Sequence, residues 1–109
     1  MWHEFLMNPE AITRNFEKPP ELNDIEICDL KVLGPGFGVE FTIHFQDKSS
    51  ISFYAFDLTS LNINKFLPRT KANVTFRKLG SRFDLIIAGE DIHIEMNLGW
   101  LRVKGMRLV

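Results

Sequence analysis

The sequence predicts a mainly β, α+β fold. The expected architecture is an antiparallel meander sheet of about seven strands, strongly curved or half-barrel in shape, with a short N-terminal helix packed on it. Three observations carry this. In the run Phe37 to Gln46 every odd position is large and apolar and every even one is small or polar. That is the period of a strand with one dry face and one wet face, and a sheet with a solvated face is most often antiparallel. Weaker copies of the run recur at hairpin spacing between turn residues, and no long helical pattern intervenes.

The first element is the helix. Trp2, Phe5 and Leu6 share the i, i+3, i+4 face of a helical turn. Asn8-Pro9-Glu10 is a start signal: Asn as N-cap, Pro at the first helical position, Glu at the positive end. The helix is expected from about Pro9 to Phe16, with Ala11, Ile12 and Phe16 towards the sheet, and Lys18-Pro19-Pro20 ends it. The first strand, Ile25 to Leu33, changes phase at Cys28-Asp29, where a β-bulge would restore a single face. Gly34-Pro35-Gly36 is a turn into the run from Phe37. Asp47-Lys48-Ser49-Ser50 turns into a third strand, Ile51 to Asp57, whose apolar residues fall on both parities and suit a central position. Residues 58–73 fit no single period and read as an irregular or partly strand-like connection. Val74 to Leu79, a Gly80-Ser81 turn, Arg82 to Ala88, a Gly89-Glu90-Asp91 turn and the alternating Ile92 to Leu98 follow. After Gly99, Trp100 to Val109 closes the chain with a bulge at Gly105.

With 109 residues the chain makes one domain, 1–109, and ten phenylalanines supply a core from few strands. A net charge of −1 argues against a protein held to nucleic acid or anionic lipid by overall charge. The charge is asymmetric. Residues 1–54 hold nine acids and four bases, a net of −5, and residues 55–109 hold five acids and nine bases, a net of +4. In an antiparallel sheet the two parts can interleave and cancel. The lone Cys28 suits a reducing compartment and reads as a small core residue. The N-terminus has no signal-peptide pattern and no stretch reaches membrane-spanning length, so a cytoplasmic protein with no membrane partner is expected.

The chemistry-bearing residue types form no strong motif. His44 and His93 lie on the polar parity of their strands, where Glu40 or Glu95 could join them, but the spacing is not that of a metal site. No nucleophile elbow, phosphate-binding loop or metalloprotease signature is present, and Gly34 to Gly38 leads into a strand, not a helix N-terminus. The expectation is a non-enzyme without cofactor or metal. The strongest local signal is basic: Lys65, Arg69, Lys71, Arg77, Lys78 and Arg82 have no acid among them, Phe66 and Phe76 are interleaved, and Arg102, Lys104 and Arg107 could extend the patch. Such a sheet could bind single-stranded nucleic acid, although Phe76 shares an apolar parity with Val74 and reads as core.

The opening Trp2-His3-Glu4-Phe5-Leu6-Met7-Asn8-Pro9-Glu10-Ala11-Ile12, with Phe16, Pro19-Pro20 and Leu22, resembles a bacterial family catalogued as immunity protein fifty, found beside polymorphic toxin genes. The strand Val39 to Phe45 and the closing Gly99 to Gly105 are similar in pattern. The resemblance implies a β-rich body behind a short helix, with Trp2, Phe5, Leu6 and Phe16 as scaffold. It also implies a non-catalytic function: binding and neutralising a cognate protein toxin. If that toxin is a nuclease with a basic groove, Glu21, Asp24, Glu40 and Asp47 of the acidic N-terminal part are the candidate partner-binding residues. Two other readings remain: a half-barrel holding a small apolar ligand, and a nucleic-acid module using residues 65–82. Trp100 and Tyr54 are surface anchors if exposed. Open sheet edges allow a monomer or a homodimer.

Overall fold

The computed structural model describes residues 2–34 and 38–109; the Pro35-Gly36 part of the first turn and Phe37 lie outside the described residues. Among these, a 3-10 turn (Trp2–Phe5) and one short helix, α1 (Glu10–Thr13), precede eight strands. The strands are β1 (Ile25–Val32), β2 (Gly38–His44), β3 (Ser50–Phe56), β4 (Ser60–Phe66), β5 (Lys71–Leu79), β6 (Arg82–Ala88), β7 (Ile92–Leu98) and β8 (Trp100–Arg107). All pairings between them are antiparallel, in the order β4-β7-β6-β5-β1-β2-β3-β8.

The mainly β expectation holds, and several details are corrected. There are eight strands, because residues 60–66 form β4. The order is not a plain meander. Two meanders, β1-β2-β3 and β5-β6-β7, are each completed by a distant strand, β8 on β3 and β4 on β7. The helix is shorter than expected, and Asn8 does not cap it. The Asn8 amide instead donates to the Val103 carbonyl at 3.1 Å and accepts from the Val103 N–H at 2.9 Å. A side-chain amide has the same donor and acceptor as a peptide group, and here it extends the sheet edge. Both expected bulges are present, between Ile27 and Asp29 in β1 and opposite Ser52/Phe53 in β8, where Lys104 is the extra residue.

The two groups of four strands join at two places. β1 and β5 share only two residue pairs, Ile25 with Ala72 and Glu26 with Lys71. At the other side β3 runs into β4, and β7 into β8, so these four strands make one antiparallel ribbon bent at Gly99. The Gly99 N–H points at the carbonyls of Phe56 (3.3 Å) and Asp57 (3.2 Å). A Cβ at Gly99 would stand 2.5 Å from the Asp57 carboxylate. Strands that switch layers through bends of this kind make the corners of orthogonal sheet packings.

The inward residues of both groups are buried and form one core that includes Ile25, Phe41, Phe53, Leu85, Ile94 and Leu101. A four-residue helix cannot cover eight strands, so the bent sheet covers its own inner face. Trp2 closes the open end: its ring lies 6.1 Å from Phe53 of β3 and 6.5 Å from Phe76 of β5. Its indole N–H donates to the Pro20 carbonyl at 2.8 Å. Ile12 of α1 is fully buried, and Ala11 and Phe16 pack on the core as expected. No helix is long and apolar enough to cross a membrane.

Candidate functional site

The β2–β3 turn is held by Asp47. Its carboxylate accepts from the Ser49 backbone N–H (2.9 Å) and hydroxyl (2.6 Å), as an acidic residue does when it closes its own turn. These hydrogen bonds hold the Asp47 pKa below the usual carboxylate value. Phe45 precedes the turn and packs half-buried on the core. Across from it the chain, beyond α1, passes Phe16 and Pro20 and enters β1 through Asp24, whose φ of 52° makes the sharp bend into the strand. The two segments enclose a groove of about 310 Å³ lined by Phe16, Pro20, Glu21, Asp24, Phe45 and Asp47, with Asn23, Ile25, Gln46 and Ser49 completing it.

Three of the four acidic residues singled out from sequence, Glu21, Asp24 and Asp47, therefore share one groove. Among the described residues no cationic side chain lies within 4.0 Å of their carboxylates. The Lys71 ammonium donates to the Asp24 backbone carbonyl at 3.4 Å. The fourth, Glu40, lies on the outer face of β2, four residues and about 13 Å of strand from His44. There it pairs with the Lys104 ammonium, which also sits 5.4 Å over the Tyr54 ring. Glu40 is not part of the groove.

The basic residues are dispersed by the fold. Arg77 forks onto Asp84 (3.1 and 2.6 Å). Arg82 binds the Asn97 side chain (2.7 Å) and the Asp57 carboxylate (2.8 Å), and also the Asp57 carbonyl. Lys71 lies 3.9 Å from Glu26, and Lys65 donates to the Glu90 carbonyl. Arg69 and Lys71 line a mixed-charge cleft with Asp24, Glu26, Glu90 and Asp91. Lys78 and Arg82 line a smaller one beside Met7 and Trp100. Lys104 and Arg102 belong to the other strand group. Phe76 packs on the core against Phe5 and Phe83.

His44 is on β2 and His93 on β7, in different strand groups; His93 contacts Glu95 at 3.3 Å. Among the described residues no group of three or more His, Cys, Asp or Glu could hold a metal ion. Cys28 is half-buried at the β1 bulge, and burial pushes its thiol pKa up while Arg69 partly offsets this. Trp100 is 53% exposed and Tyr54 half-buried, so Trp100 is on the surface. Sequence reasoning missed the part Phe16, Pro20 and Phe45 play in the groove. The half-apolar residues flanking the acids were the available signal. Comparison with protein-family models, curated proteins and solved structures found no significant match to this chain.

Proposed function

We propose that this chain is a non-catalytic inhibitor, a cytoplasmic immunity protein that neutralises a cognate bacterial toxin by docking its acidic groove on a basic surface of the toxin. The observation that carries the reading is the convergence of Glu21, Asp24 and Asp47, without partner cations, around the half-buried Phe16 and Phe45. Carboxylates outside ion pairs beside aromatic surface are the chemistry that a Lys- or Arg-bearing partner recognises, since the aromatics supply buried area and the charges speed association and fix orientation. The resemblance of the first 22 residues to immunity proteins supports the same reading. The core residues Phe41, Phe53, Ile87, Ile94 and Met96 are each at most 2% exposed, so an apolar ligand would have to sit outside that core, in the groove of about 540 Å³ between Trp2, Phe5, Leu22 and Phe76.

The test is functional. The tagged chain is used to isolate the toxin domain from the producing bacterium, and the purified toxin is titrated with the chain. Loss of toxin activity at one-to-one stoichiometry is expected. A captured protein whose activity is unchanged at saturation would overturn the reading.

A further inference from the structure

The outer face of β3 and β8 carries side chains that the core does not call for. Ile51, Phe53 and Ala55 of β3 are buried, so the residues between and beside them face outward, Tyr54 and Phe56 among them. Tyr54 pairs across to Arg102 of β8, and Phe56 to Trp100. On β8 the outward Trp100, Arg102, Lys104 and Arg107 are all exposed. The solvated face of an antiparallel sheet is ordinarily polar. Here every apolar side chain turned outward by β2, β3 and β8 is aromatic, and none is aliphatic.

The charge on this face is positive. Three cations of β8 meet one acid of β2, Glu40, and that acid pairs with Lys104. Among the described residues Arg102 and Arg107 are in no ion pair. Between these two arginines the face is low, because Gly105 stands opposite Ser52 and Ser52 opposite Thr42. Neither backbone nor packing requires a glycine at 105. Its φ is not positive, the extra residue of the bulge is Lys104, and a Cβ at Gly105 would meet nothing within 4 Å. A strand glycine without such a reason often marks the close approach of a ligand or another backbone.

We infer that this face binds single-stranded nucleic acid, with bases stacked on Trp100 and Tyr54 and phosphates held by Arg102 and Arg107 across the trough at Gly105. Planar rings give stacking area to any base, and guanidinium groups hold phosphate in a forked geometry. Aromatics on an open sheet face take two or three bases in this way. A protein partner is anchored in well-packed pockets, whereas this face offers flat rings and no aliphatic side chain. With a net charge of −1 the chain has no general attraction for polyanions, so the binding depends on this face. The basic residues from Lys65 to Arg82 belong to the other strand group and take no part. The acidic groove is built by the segments before β1 and after β2, so the inference stands apart from toxin docking.

Fluorescence anisotropy of a short labelled single strand of mixed sequence, as DNA and as RNA, titrated with the full chain at several salt concentrations tests this. Saturable binding is expected. Log K should fall against log salt with a slope of about −1.4, the value for two phosphate contacts on a single strand, and Arg102→Gln and Arg107→Gln should each flatten it by about 0.7. Trp100→Ala is expected to weaken binding at least about fivefold. Gly105→Val fills the trough and is expected to weaken it too, with urea unfolding unchanged. Both positions are exposed, so these variants keep the fold. Arg69→Gln, in the other strand group, is expected to bind like wild type. No saturable binding by the wild-type chain at low salt, or undiminished binding by Trp100→Ala, would overturn the inference. So would a Trp100→Ala chain that loses affinity for a protein partner while the wild type binds no single strand, since the face would then be a protein-docking surface.

Discussion

Arg82 ties together three strands and the corner that joins the two halves of the sheet. From β6 its guanidinium reaches Asn97 on β7 and both the carboxylate and carbonyl of Asp57, just after β3. Asp57 has a φ of 57°, a conformation that non-glycine residues adopt at a cost, and Arg82 satisfies the polar groups exposed by that bend. Arg82→Ala is expected to lower stability by about 1–2 kcal/mol, discounted for partial exposure, as read by urea denaturation. On the same face Asp84 accepts from Arg77 and from Asn97, and these hydrogen bonds hold its pKa below the usual value. A carboxylate with a depressed folded-state pKa contributes stability that is present above its unfolded-state value and is lost as pH falls through the folded one. Carboxyl NMR titration should therefore show Asp84 ionising below an ordinary exposed Asp. Arg77→Ala should move it back up towards the ordinary value.

The N-terminal segment is a structural strap despite its lack of regular structure. Leu6, Met7 and Asn8 add to the edge of β8, and Trp2 bridges both strand groups over Pro20. Asn8→Ala removes both bonds to Val103 and leaves a sheet-edge peptide without its partner. The expected cost is about 1–3 kcal/mol, with the Val103 amide losing hydrogen-exchange protection more than amides of β6. Individual strands were legible in the sequence because alternation reports burial directly, as in β2 and β7, and the bulges were legible as phase slips at Cys28-Asp29 and near Gly105. β4 was not, because at an edge Asn62, Ile63 and Asn64 are all exposed and no dry face remains to set the pattern. The Asn8 cap was misread because the Asn-Pro-Glu pattern is local, and a tertiary partner 95 residues away won the side chain.

Over the whole molecule, strand order was not readable from local pattern, since the pairing of β3 with β8 and of β4 with β7 is decided by the bend at Gly99. That topology also decides the charge distribution. Lys104 meets Glu40 and Lys71 meets Glu26, so two of the nine acids of the N-terminal part pair with bases of the C-terminal part. The carboxylates of Glu21, Asp24 and Asp47 are left without partner cations at the groove. The candidate acids were thus visible in the sequence, but their separation into a groove and a neutralised Glu40 required the fold. Association with a basic toxin is expected to slow as salt is raised, because steering by exposed charge is screened, and stopped-flow rates at several ionic strengths would read this out.

The most direct test of the central claim is a calorimetric titration of the isolated toxin domain with wild-type chain and with the Glu21→Gln, Asp24→Asn, Asp47→Asn triple variant. The Asn at position 47 keeps the acceptor for Ser49, so the turn survives while the charge is removed. The account predicts at least about a tenfold loss of affinity for the triple variant, and no comparable loss for Glu40→Gln. Equal affinity of the triple variant and wild type would contradict it.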